Sequence, residues 1–166
     1  STVTMFGQTK KQIINEIYSY KKSIIDTVSY KNKRTEVWNA IYLITKEEFS
    51  IILRESESRG YIEAKEEKEL FKDFFTAEII GEGPYRVSFQ VTNQEQRTKD
   101  YINNTYTPWV SYVSNNINFY YLKLHLRLYE LLKGKIELPK DLLEKIETFN
   151  NSQKKDKNKI LKGTDY

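Results

Sequence analysis

The sequence predicts a mainly α-helical protein with one β-hairpin and a long C-terminal helix. Apolar residues recur every three to four positions over Lys10–Ser29, Lys46–Arg59 and Pro108–Lys133. The strongest apolar–polar alternation is Tyr85, Val87, Phe89 and Val91 against Arg86, Ser88 and Gln90. Capping pairs, glycines and prolines fall where these patterns start and stop. With 166 residues, 39% hydrophobic and 30% charged, the chain can bury a core and is too apolar to be wholly disordered.

Thr9 and Gln12 have capping-box spacing, and Ile13, Ile17, Tyr20, Ile24 and Val28 then form one stripe of a first helix. The polar run Tyr30 to Arg34 reads as a loop. A second helix opens near Thr35, with Val37, Trp38, Ile41 and Tyr42 inward. Thr45 and Glu48 make a second capping pair, with Ile44 and Phe49 placed as a hydrophobic staple. They predict a separate third helix over Lys46–Arg59, stopped by Gly60, in preference to one helix over 35–59. Lys65 to Phe75 reads as a short amphipathic helix. Ala77–Ile80 and Tyr85–Val91, joined by Gly81-Glu82-Gly83-Pro84, predict a hairpin over 76–92.

Thr92 and Glu95 have the spacing to open a short helix to Asn103. Thr107-Pro108 opens the long helix to Lys133, which Gly134 stops. Pro139 starts a last helix with Leu142, Leu143, Ile146 and Phe149 on one side. The expected organisation is a helical domain with hairpin over 1–104, the long and short C-terminal helices over 105–150, and a flexible basic tail over 151–166.

There are no cysteines and one histidine, which excludes disulfides, thiolate metal sites and cysteine nucleophiles. His125 has no orienting acid on its helix stripe, and the cluster Glu63, Glu66, Glu67 and Glu69 lacks the glycine of a calcium loop. No catalytic residue, metal or cofactor is expected. No stretch reaches the roughly 18–20 apolar residues of a membrane span, and the first residues lack a secretory layout. A cytoplasmic protein without a membrane partner is therefore expected. Abundant Lys, Asn, Ile and Tyr suggest an A/T-rich bacterium, phage or plasmid. Net charge is +4 over 1–44, −5 over 45–82, +3 over 83–134 and +2 over 135–166. A polyanion would avoid the middle segment.

The order of elements over Lys10–Lys133 makes the module winged-helix-like. It resembles bacterial winged-helix regulators that dimerise through a C-terminal helix. The resemblance is one of layout, and it implies a non-enzymatic DNA-binding regulator. The helix over Lys46–Arg59 carries Glu47, Glu48, Glu55 and Glu57, which repel phosphate. The nucleic-acid contacts are therefore expected from Lys31, Lys33 and Arg34 at a helix start, with Asn39, and from Arg86 on the hairpin. The alternative is a protein-binding inhibitor or adaptor module, docking on a host or partner protein through aromatic and acidic surfaces. Its expected interface residues are Trp109, Tyr112, Tyr120 and Tyr121. The expected partner is thus DNA or a protein, with a homodimer through the long helix possible.

Overall fold

A computed structural model describes residues 8–96, 99–100, 102, 105–106, 108–153 and 155–165. Arg97, Tyr101, Thr107 and Lys154 lie outside the described residues. The elements in chain order are α1 (Lys10–Ile25), α2 (Arg34–Glu48), β1 (Ile51–Ser56), β2 (Tyr61–Lys68), β3 (Phe71–Ile80), β4 (Arg86–Glu95), β5 (Lys99–Asp100), β6 (Thr105–Tyr106), β7 (Val110–Tyr112), α3 (Ile117–Lys133) and α4 (Lys140–Ser152). A 3₁₀ turn at Gly163–Asp165 follows. The chain forms two compact units. Residues 28–134 make one, and the described residues of 1–27 and 135–166 make the other. The expected boundary at 104/105 falls inside the first of these.

The central unit is built on a five-stranded antiparallel sheet in the order β1-β2-β3-β4-β7; β5 and β6 pair separately. The mainly helical, winged-helix-like expectation is therefore wrong. The hairpin is present, but as two of five strands. Alternation explains the sheet. Ile62, Ala64, Phe75, Ala77, Ile79, Val87 and Phe89 are buried on one face, and the residues that alternate with them, Glu63, Thr76 and Gln90, opposite one another in register, face the other way. The buried face packs with Val37, Trp38, Ile41 and Ile44 of α2 and Leu124 and Leu128 of α3. Phe49, Phe75 and Phe89 stack through its centre, with centroids 4.6 Å and 5.8 Å apart. The apolar face of α3 is thus used inside the unit.

Three predicted helices are strands. Lys46–Arg59 ends α2 at Glu48 and becomes β1; Thr45 turns its hydroxyl back to the Ile41 carbonyl (2.7 Å) rather than capping a new helix. Gly60 does not stop a helix. It sits at φ +64 in the β1–β2 turn, where an added Cβ would meet Arg34 and Ile79 at 2.9 Å. Lys65–Phe75 belongs to β2 and β3, and Thr92–Glu95 continues β4. In the expected long helix, Val110–Tyr112 is strand β7 and the helix begins at Ile117.

Two tyrosines finish the free side of β4. The backbones of Tyr30 and Tyr85 exchange hydrogen bonds of 2.7 Å and 2.8 Å. The Tyr121 hydroxyl accepts from Val91 N–H at 2.9 Å and approaches the Val91 carbonyl at 3.3 Å. Tyr30 itself is 1% exposed, and its hydroxyl is buried with no hydrogen-bond partner among the described residues. Burial, then the nearby Tyr129, pushes this phenol far above the usual tyrosine range. Tyr30→Phe keeps the packing and removes an unsatisfied hydroxyl. It should stabilise the unit by about 1 kcal/mol, read as a higher urea midpoint. Because the folded pKa is raised, stability is full below the unfolded value near about 10 and falls as pH rises through it. The midpoint should therefore hold to about pH 9 and drop from there through about pH 11, and drop less in Tyr30→Phe.

The second unit pairs α1 with α4. The predicted Thr9–Gln12 capping box is present, with bonds of 3.2 Å and 2.8 Å. Ile13 and Ile17 of α1 meet Leu142 and Ile146 of α4, and Leu161 completes this cluster at 3% exposure. Asn150 fixes Leu161 by bonding both its N–H (2.7 Å) and its carbonyl (2.9 Å). Part of the expected flexible tail is therefore fastened to the helices.

A tyrosine-lined acidic cleft as the candidate functional site

Past Phe75, the helix-covered face of the sheet changes from apolar to polar. Cross-strand register places Glu66 opposite Asp73, Asp73 opposite Asn93, and Asn93 opposite Tyr112. One row across β2, β3, β4 and β7 thus carries two carboxylates, an amide and a phenol on the face that elsewhere holds Ala64, Phe75 and Val91. The end of α2 contributes Glu48 and the first turn of α3 contributes Tyr120. Together with Lys68, Ser114, Asn116 and Ile117 they line an open cleft of about 390 Å³.

The cleft is held in shape by hydrogen bonds. Asn93, 9% exposed, donates from Nδ2 to Asp73 Oδ1 at 2.5 Å. Ser50 N–H donates to Glu66 Oε2 at 2.8 Å, and hydrogen bonding from Ser50, side chain first and then backbone, holds the Glu66 carboxyl below its ordinary range. Tyr120 donates its hydroxyl to Glu48 Oε2 at 3.2 Å, while Lys123 pairs with Glu48 Oε1 at 3.3 Å. Burial first, then the Glu48 charge, keeps the Tyr120 phenol protonated far into alkali. Tyr112 is raised too, by burial and then by Asp73 and Glu95. Directly opposed carboxylates at Glu66 and Asp73 oppose folding. Such a local conflict on an otherwise consistent face marks a place suited to binding a cation.

Of the lining residues, Glu48, Glu66 and Asp73 are acidic and Lys68 alone is basic. Among the described residues no group of His, Cys, Asp or Glu is arranged to hold a metal ion. The carboxylate, amide and phenol oxygens along the row are hydrogen-bond acceptors that an ammonium or guanidinium can donate to. His125 is elsewhere, packed edge-on to Phe89 at 4.8 Å.

The expected protein-interface residues divide. Tyr112 and Tyr120 line the cleft. Tyr121 serves β4, and Trp109 lies under Lys72 Nζ at 4.2 Å from its ring. Of the expected nucleic-acid residues, Lys31, Arg34 and Arg86 lie at the other end of the same sheet. The Tyr30–Tyr85 bridge brings the chain at exposed Lys31 beside that at Arg86. Arg34, however, donates to the carbonyls of Glu57 and Ser58 at 2.8 Å and 2.9 Å, clamping the β1–β2 turn. Lys33 precedes α2, its N–H bonded to Glu36 at 2.8 Å, and Asn39 is exposed on α2. The helix expected over Lys46–Arg59, the one a winged-helix module would use for recognition, ends at Glu48 and continues as strand β1. Sequence reasoning missed Glu48, Asp73 and Asn93 as site residues and set Glu66 aside with its acidic cluster. The signal was an interrupted alternation: Asp73 and Asn93 stand in phase with Phe75, Ala77, Phe89 and Val91.

No helix among the described residues is long and apolar enough to cross a membrane. No family model, curated protein or solved structure matches the chain.

Proposed function

We propose that the central unit is a non-enzymatic protein-binding module, an adaptor or inhibitor that takes a lysine- or arginine-bearing segment of a partner protein in the acidic cleft. The observation that carries this reading is the polar row Glu66–Asp73–Asn93–Tyr112 on the core face of the sheet. Its groups present fixed negative charge. Asp73 accepts from Asn93, and the phenol of Tyr120 is held neutral, so neither is poised as an activated nucleophile. Partly desolvated carboxylates flanked by tyrosines attract a cationic side chain and give its alkyl stem apolar surface.

Titration of fluorescein-labelled basic peptides, followed by anisotropy, tests the reading. Asp73→Asn keeps an acceptor for Asn93 and removes one charge. It should weaken binding about tenfold, a change of about 1.4 kcal/mol, and flatten the salt dependence. Peptides with Lys and Arg replaced by Gln should not bind. Binding indifferent to both changes would exclude the cleft as the site.

A further inference from the structure

From the cleft assigned above, we infer that its ligand is an extended segment with a lysine or arginine two residues away from a large apolar side chain. The next row outward on the same sheet face is Lys68 opposite Phe71, Phe71 opposite Glu95, and Glu95 opposite Val110. Phe71 is 44% exposed and Val110 46% exposed, although both stand on the face that is buried further along. An apolar shelf thus borders the carboxylate row, with Glu95 between its two members.

The two rows are two residues apart along each strand, which is about 7 Å. An extended peptide repeats its same-side chains at this interval. Running alongside the strand direction, it would place a cation over Asp73 and Glu66 and the residue two positions away on Phe71 and Val110. A helical ligand does not fit this spacing, because its same-face neighbours are three or four residues apart. Charge complementarity selects the occupant. The deeper row is acidic and the shelf carries Glu95, so an acidic or purely apolar segment gains less than a basic one. Lys68 is the opposing element: it lines the cleft and repels a cation, so it sets a limit on affinity.

Three labelled peptides in a Gly/Ser background test the inference on the full chain: Lys-Gly-Phe, Lys-Phe-Gly and Lys-Gly-Ala. Lys-Gly-Phe should bind about five- to tenfold more tightly than the others. The paired surface change Phe71→Ala with Val110→Ala should erase that advantage, bringing Lys-Gly-Phe to the affinity of Lys-Gly-Ala. Lys68→Ala should tighten all three. Equal affinity for the three peptides would overturn the spacing while leaving the cleft reading intact. Loss of all binding, or binding untouched by Asp73→Asn, would overturn the cleft reading itself. A dimer seen by sedimentation that dissociates on the Phe71/Val110 change would assign the shelf to a second copy of the chain and overturn the peptide assignment.

Discussion

Phe75→Ala will destabilise the central unit by about 3–5 kcal/mol, a large part of the stability of a domain this size. Phe75 is fully buried, stacked on Phe49 at 4.6 Å and on Phe89 at 5.8 Å. It joins the C-terminal end of α2 to the middle of the sheet. Truncation removes its apolar contacts and leaves a cavity between two aromatic rings that strand hydrogen bonds hold apart. Its sequence neighbours supply the control. Phe74 projects to the opposite face and is half-buried, and Phe71 is 44% exposed. Alanine at Phe71 or Phe74 should therefore lower stability by clearly less, about 1–2 kcal/mol at most. A helix over Lys65–Phe75 would instead have placed all three on one stripe with comparable losses. Urea midpoints for the three variants decide this, and equal shifts would refute the strand assignment.

Those three phenylalanines also show why much of the sheet was illegible in the sequence. Phe71, Phe74 and Phe75 stand at i, i+3 and i+4, the spacing of an amphipathic helix, yet they alternate across a strand. In β2 the inward residues Ile62 and Ala64 are few and one is small, while Glu63, Lys65, Glu66 and Glu67 are good helix formers. Tertiary pairing with β1 and β3 overrides that preference. β4 was legible as far as Val91 because its inward residues are large and unbroken. Its reading as a helix from Thr92 began at Asn93, where the core face turns polar. Alternation also fails at Asp73 and Glu66, so the residues that obscured the strands are those that line the cleft. The N-terminal cap of α1 and the stop at Gly134 were legible because each is local, requiring only neighbouring residues. The acidic character of 45–82 was visible as a sum of charges. Its concentration into one row depended on strand register, which no single segment contains.

Leu161→Asp will melt the pairing of α1 with α4 while leaving the central sheet folded. The cluster that holds these helices has five buried members: Ile13, Ile17, Leu142, Ile146 and Leu161. So small a core has little stability in reserve. A carboxylate at 161 must either be buried without a cationic partner, at several kcal/mol, or withdraw and expose the other four. Withdrawal also breaks the two bonds between Asn150 and the Leu161 backbone, and the contact of Lys10 Nζ with the Ile160 carbonyl at 3.4 Å. Far-UV circular dichroism should lose the helical signal of α1 and α4, 16 and 13 residues long. The near-UV signal and urea midpoint of the sheet unit should persist, because its core residues all lie within 28–134. Asn150→Ala supplies the graded case: it deletes the clamp and keeps the plug, so helix loss should appear only at lower urea than in the parent, by about 1–3 kcal/mol. A Leu161→Asp protein with undiminished helicity would show that the segment near Leu161 does not hold the two helices together.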